Sequence, residues 1–189
     1  MRRAREAGLW ADFSNERIDD FYDVYTTNMR DLGTPTFPKT MFNNFLAEFG
    51  DNAKILNIWL GHKVIASVLI FYYKDTVLPY YGGSISKYNN NKIAPNNFMY
   101  WTVMQDAIEN GYRVFDFGRS KANTGAYHFK RHFGMQPEPL NYQYLLVQKD
   151  EKPNLNPLNP KYQRFINTWK RLPIPVTKLV GPRIVRNIP

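Results

Sequence analysis

The residues best suited to chemistry cluster between Tyr112 and Gly134, Y-R-V-F-D-F-G-R-S-K-A-N-T-G-A-Y-H-F-K-R-H-F-G. Arg113–Phe117 carries the aromatic and β-branched residues that suit a short strand. Gly118–Gly125 is turn-forming and holds Arg119, Ser120 and Lys121. Gly125–Phe133 follows as a short helix, ended by Gly134 where a left-handed C-cap is usual. Strand, polar loop and helix together gather backbone N–H groups and fixed cations around one point. Such a point holds an anionic or oxyanion-forming ligand. Asp116, at the end of the strand, is a candidate base or acceptor-orienting carboxylate.

Several chemistries are disfavoured by what the chain lacks. It has no Cys, three His and no G-x-S-x-G elbow, so thiolate and serine-elbow nucleophiles drop out. His128 and His132 stand four apart, the spacing of helical zinc ligands. Yet H-F-K-R-H has no Glu, and Lys130 and Arg131 would repel a dication, so no metal site is expected. Gly118 and Gly125 do not have phosphate-loop spacing. Acyl transfer to an amine remains. It needs a deprotonated amine and a stabilised oxyanion, but no covalent intermediate. Backbone donors near Tyr80–Gly83 or at Gly118 are candidates for the oxyanion.

The elements that must position these groups are legible in the apolar pattern. Asn15–Leu32 reads as an amphipathic helix stopped by Gly33. Pro38 opens a second, with Met41, Phe42, Phe45, Leu46 and Phe49 as its stripe and Gly50 as its stop. Ala53–Leu60, Lys63–Tyr73 and Thr76–Tyr81 read as strands, joined at Gly61-His62 and Lys74-Asp75. Pro79 cannot donate to a ladder and marks an edge, bulge or opening. Asn96–Asn110 is a helix crossing over to Arg113–Phe117, and Leu140–Val147 is expected as a last strand. The order ααβββαβαβ is that of the GNAT-like acetyltransferase fold.

A length of 189 residues suits one domain with a proper core. The net charge of +9 is uneven: from Lys152 onward the chain holds eight of its 25 basic residues and none of its 16 acidic ones. Asp150–Asn159 is a Pro- and Asn-rich connection. Tyr162, Phe165, Ile166, Trp169 and Leu172 then mark a helical stripe, broken by Pro173 and Pro175. A final segment with Val176, Leu179, Val180, Ile184 and Ile188 is interrupted by Gly181-Pro182. A basic amphipathic helix with a central Trp suits a membrane surface; the same stripe suits packing on the domain, which is favoured. The absence of Cys, of a signal-like leader and of a spanning apolar run fits a cytoplasmic protein.

F-D-F-G-R-S (Phe115–Ser120) and T-G-A-Y-H-F-K-R-H-F-G (Thr124–Gly134) resemble the motif of FemAB-type transferases, F-D-F-G-R-S…G-T-G-x-Y-x-F-K-x-x-W-G. The subgroup most resembled is that of FemAB-related proteins associated with exosortase/PEP-CTERM loci. Asn28–Lys39, Thr76–Ser84, Ala94–Trp101 and Asn156–Tyr162 carry further matches, so the resemblance runs along nearly the whole chain. It covers only the second of the family's two acyltransferase-like halves. Met1–Leu9 is expected as a remnant of the preceding helix. Phe133 stands where the family has Trp. Acetyl-CoA enzymes of this fold usually carry Q/R-x-x-G-x-G/A before the helix after their fourth strand. Ser84–Asn96 contains no glycine, so the resemblance points to aminoacyl-tRNA as donor.

The fold expected is α/β (α+β), GNAT-like. Its sheet is mixed and mostly antiparallel, with a locally parallel β-α-β unit, flanking helices and a helical C-terminal tail. The domains are 1–12 (remnant helix or linker), 13–149 (the GNAT-like FemAB-type domain) and 150–189 (the basic, Pro-interrupted tail). The resemblance implies an N-acyl or aminoacyl transferase acting on an amine of a peptidoglycan precursor or exopolysaccharide-related acceptor. Lys130, in the place of the family's motif Lys, would act with Asp116 in catalysis. Arg119, Ser120, Lys121, Gly125 and Tyr127 would bind the donor. Tyr80, Tyr81, Gly82, Asn96, Asn97 and Tyr100 would line the acceptor groove. No tightly bound cofactor is expected; aminoacyl-tRNA or acyl-CoA would be the co-substrate. Further partners would be the missing first half or another chain, and an inner-membrane surface met peripherally through 161–188. The alternative is a non-catalytic half-domain that binds anionic lipid, polymer or a partner through its basic tail.

Overall fold

The computed structural model describes residues 2–90, 92–147 and 160–186. A five-stranded sheet in the order β1-β2-β3-β4-β5 organises it. The strands are β1 (Leu9–Phe13), β2 (Ala53–Leu60), β3 (Lys63–Tyr73), β4 (Thr76–Ser84) and β5 (Val114–Phe115). Neighbours from β1 to β4 are antiparallel, and β4 pairs with β5 in parallel. β2 and β3 are near-continuous apolar runs because helices cover both of their faces. Gly61 and Lys74 take the left-handed backbone that turns the two hairpins, with φ of 59° and 53°.

Helices α2 (Ile18–Leu32) and α3 (Lys39–Phe49) cover one face. Phe21, Tyr22, Tyr25 and Phe42 pack there against Ala53, Ile55 and Leu69. Helix α4 (Pro95–Glu109) covers the other, with Met99, Val103 and Ala107 against Leu56, Ile58, Val68 and Ile70. This α4 layer also receives Leu9, from a strand that the sequence pattern does not announce. Arg2–Glu6 is helical (α1), but Leu9–Phe13 then pairs along β2 as the sheet's edge strand. Gly33 ends α2 with φ +81°, as its position suggests, and Ile166 would collide with any Cβ there.

Two expected elements differ. The strand foreseen over Arg113–Phe117 has only Val114–Phe115 in the ladder, although the Asp116 N–H still reaches the Val77 carbonyl at 2.9 Å. Leu140–Val147 forms no strand: Leu145 and Val147 are exposed, and the segment joins no ladder among the described residues. Alternating residues make a strand only where a neighbouring backbone supplies the ladder.

Helices α5 (Gly125–Arg131), α6 (Pro160–Trp169) and α7 (Ile174–Val185) complete the order. Trp169 is buried, and the Arg30 guanidinium donates to the Leu172 carbonyl at 3.3 Å. Trp169 is thus packed, with Ile166 and Leu172 half-buried, while Phe165 of the same stripe stays exposed. Helix α7 runs through Gly181-Pro182 rather than breaking there, and the glycine lets it sit directly on Thr36. A Cβ at 181 would stand 3.0 Å from the Thr36 nitrogen. Lys178 pairs with Asp23 of α2. The Asp150–Asn159 connection lies outside the described residues. The chain divides into two compact units, Met1–Gly118 with Ile166–Pro189, and Arg119–Phe165.

Candidate functional site

In the first unit, chemistry gathers at the end of β5 and along β4. The Asp116 carboxylate is exposed, and its Oδ1 accepts the Gly118 N–H at 2.7 Å. One oxygen therefore caps the turn and holds Gly118 in its left-handed conformation, φ +66°. In β4, Leu69 pairs with Tyr81 and Ile70 with Pro79, which leaves Tyr80 as the extra residue of a β-bulge. The proline that cannot donate to a ladder thus sits beside the bulge. Tyr80 stays half exposed, in edge contact with Phe71. Tyr81 turns into the α2–α3 layer, among Tyr25, Phe37, Phe42 and Phe45. Gly82 lies against β3, where a Cβ would fall 2.5 Å from the Ser67 carbonyl oxygen.

The other expected acceptor residues belong to α4, on the opposite face of the sheet. Asn97 is exposed. The Asn96 Oδ1 is buried without a hydrogen-bond partner among the described residues. The Tyr100 ring stacks on Phe117 at 5.5 Å and leans on Phe115, and burial pushes its phenol pKa up. The acceptor set is thus divided between two faces. For want of glycine, the sequence disfavours a pyrophosphate cradle of the Q/R-x-x-G-x-G/A kind before α4. There Ala94 is left-handed (φ +51°) and caps α4 with no side-chain hydrogen bond, and Pro95 occupies the first turn. Helical N–H groups without a side-chain cap are the sort that donate to phosphate oxygens. The dipeptide Ala94-Pro95 was the available signal.

The second unit holds the expected donor residues and Lys130. Thr124 caps α5: its hydroxyl donates to the Lys121 carbonyl at 2.8 Å and accepts the Tyr127 N–H at 3.3 Å. Asn123 adopts φ +63° to turn the chain into the helix. Ser120, Lys121 and Gly125 are exposed. Tyr127 is half-buried, with the Arg131 guanidinium over its ring. Arg119 donates to the Tyr142 hydroxyl at 3.3 Å. Lys130 is only 8% exposed, and its ammonium donates to the Arg119 carbonyl oxygen at 3.0 Å. The end of the helix therefore ties down the start of the loop. Among the described residues no group of three His, Asp or Glu could hold a metal ion.

The family model described as acetyltransferase (GNAT) domain matches residues 1–131. The chain belongs to that family. An aminoglycoside acetyltransferase from an uncultured soil metagenomic sample, solved with sisomicin, is similar in fold at 13% identity. The match covers 74% of this chain and 97% of that one, with a TM-score of 0.55. AAC(6′)-Iy, solved with the bisubstrate analogue CoA-S-monomethyl-acetylneamine, matches at 11% identity over 74% of this chain and 99% of that one, TM-score 0.56. FemX matches at 14% identity over 69% of this chain and 51% of its own, TM-score 0.59. The match thus spans about half of FemX. No protein of curated function matches the sequence.

Proposed function

We propose that this chain is the second GNAT-like half of a FemAB-type N-acyl or aminoacyl transferase. It would move an acyl or aminoacyl group onto an amine of a peptidoglycan precursor or an exopolysaccharide-related acceptor. The observation that carries this reading is the state of Lys130. On a seven-residue helix with exposed Ala126, His128 and Arg131, its ammonium is buried and bonded to a backbone carbonyl. A lysine that only solvated a helix would keep its head group in water. Burying an ammonium is costly unless hydrogen bonds and charges compensate it.

In the reaction, the neutral amine nitrogen attacks the acyl carbonyl carbon and a C–N bond forms. The oxyanion then collapses, breaking the bond to the CoA sulfur or to the tRNA ribose oxygen. We assign the nitrogen's departing proton to Asp116, and stabilisation of the donor or its developing negative charge to Lys130. Arg119, Ser120 and Lys121 would hold phosphate, which both candidate donors carry. The F-D-F-G-R-S motif and the FemX-like fold support the FemAB assignment. The exosortase-type motifs alone support an exopolysaccharide-related acceptor.

The test is incubation with acyl-CoA or charged tRNA and an amine-bearing envelope precursor. Mass added to the acceptor amine, and lost with Lys130→Ala, is the expected result. No added mass with either donor would overturn the reading.

A further inference from the structure

Helix α7 has two faces. Thr177 and Gly181 are buried, with Ile174 and Lys178 partly covered beside them. The opposite stripe is Val176, Leu179, Arg183 and, just past the helix, Arg186, at the three- and four-residue spacings that share one side. All four are exposed, Leu179 by 64%. Packing on α2 therefore uses one side of α7 and leaves an aliphatic knob at Val176 and Leu179, followed by two guanidinium groups.

Charge decides what fits this face. No acidic residue occurs from Lys152 onward, and exposed Lys170 and Arg171 precede α7. The outward stripe thus presents cations beside aliphatic side chains. That combination suits an anionic bilayer surface, where guanidinium groups meet headgroup phosphates and short aliphatic chains enter the interface. A surface for nucleic acid would gain little from an exposed leucine at its centre and would offer aromatic platforms for bases. Among the described residues no helix is long and apolar enough to cross a membrane, so contact would be made along the helix.

We propose that the outward face of α7 docks this protein on anionic lipid headgroups, with Val176 and Leu179 entering the interface and Arg183 and Arg186 meeting the phosphates. The proposal stands independently of acyl transfer, and its assay contains neither donor nor acceptor.

The test is cosedimentation with vesicles of phosphatidylglycerol or of phosphatidylcholine. Retention on the anionic vesicles alone is expected, weakening as salt is added. The double variant Arg183→Gln/Arg186→Gln should lower partitioning roughly 25-fold, about fivefold for each cation. The chain has no cysteine, so Leu179→Cys can carry a single environment-sensitive dye. Its emission should shift to the blue on anionic vesicles. A dye at Ile108→Cys, on exposed α4 surface, should not respond. If the double variant fails to fold, the labelled Leu179→Cys protein decides. Equal retention on both vesicle types, or an unshifted Leu179→Cys dye, would overturn the proposal. So would a dye response to polyuridylate RNA without one to vesicles, which would make the face a nucleic-acid surface. Doubling of the mass in sedimentation velocity, without vesicle binding, would make it a contact between copies and also overturn it.

Discussion

The Lys130 ammonium donates to the Arg119 carbonyl oxygen, so a buried cation and the first residue of the polar loop hold each other in place. The contact makes Lys130 a clamp on the loop, and the proposed function adds a second, separable role as a charge for transfer. Lys130→Met keeps most of the stem and removes the charge. Desolvation of the ammonium is relieved while the Arg119 carbonyl loses its donor, and these effects oppose each other. Stability should therefore change by less than about 1 kcal/mol, while kcat falls about 100- to 1,000-fold, the scale of removing one electrostatic stabiliser. Calorimetry and single-turnover assays check both. Full activity in a destabilised variant would leave Lys130 as a clamp only.

Tyr72 links the sheet to α4: its phenol donates to Asp106 Oδ2 at 2.8 Å. Burial first, and then the Asp106 carboxylate, push the Tyr72 pKa well above that of an ordinary phenol. Burial does the same for Tyr25 and Tyr100. The sign follows from linkage. The folded state holds the phenol proton more tightly than the unfolded chain. The stability this contributes is fully present below about pH 10 and declines as pH rises toward the folded pKa. Phenolate absorbance from these tyrosines should appear only together with alkaline unfolding. Tyr72→Phe should cost about 1.5–3 kcal/mol at neutral pH and flatten the alkaline slope. Complete tyrosine titration in a still-folded protein would contradict this account.

What the sequence discloses depends on whether a residue's role is local or pairwise. β2 and β3 are readable end to end because both faces are buried and their apolar runs are bounded by turn residues. Gly33 and Gly50 announce helix ends through backbone conformations that any neighbourhood would need. β1 and Leu140–Val147 go the other way. L-W-A-D-F becomes a strand through its register with β2, whereas a more promising alternation joins no ladder among the described residues. At the candidate site, the F-D-F-G-R-S loop is legible as chemistry. The adjacent Tyr80 and Tyr81 are not, because a one-residue bulge decides which ring enters the aromatic layer. The two faces of α7 are hidden for a similar reason: Gly181-Pro182 reads as a break until Thr36 is seen beneath it.

Gly82 and Gly83 are the place where β4 admits its neighbours. A Cβ on Gly82 would lie 2.5 Å from the Ser67 carbonyl oxygen and 2.8 Å from the Val68 Cα, both backbone atoms that cannot step aside. A Cβ on Gly83 would instead strike the side-chain amide of Asn28 on α2. Both Ala variants should lose about 1–3 kcal/mol, as overpacked cores do. Asn28→Ala should restore much of the loss in Gly83→Ala and none of it in Gly82→Ala. Denaturant midpoints of the two double variants decide the matter. Equal rescue would mean that the strand itself shifts.

Gly125 separates fold from function most cleanly. A Cβ there would meet nothing within 4 Å, and its φ lies outside the left-handed range. The fold thus gives no reason for glycine at this position, unlike Gly118 and Gly134, whose φ values of +66° and +80° favour it. Gly125→Ala should leave stability unchanged or raise it by about 0.4–1 kcal/mol, through a less flexible unfolded chain. Gly134→Ala should cost about 1–2 kcal/mol through left-handed strain. If the backbone at Gly125 approaches the donor, as the FemAB resemblance implies, the methyl group obstructs that approach. The KM for the donor should then rise about tenfold, equivalent to about 1.4 kcal/mol of binding, with kcat changed less. Thermal melts and donor titrations on the two variants measure these effects separately. Unaltered donor kinetics in a fully folded Gly125→Ala protein would remove Gly125 from the donor site.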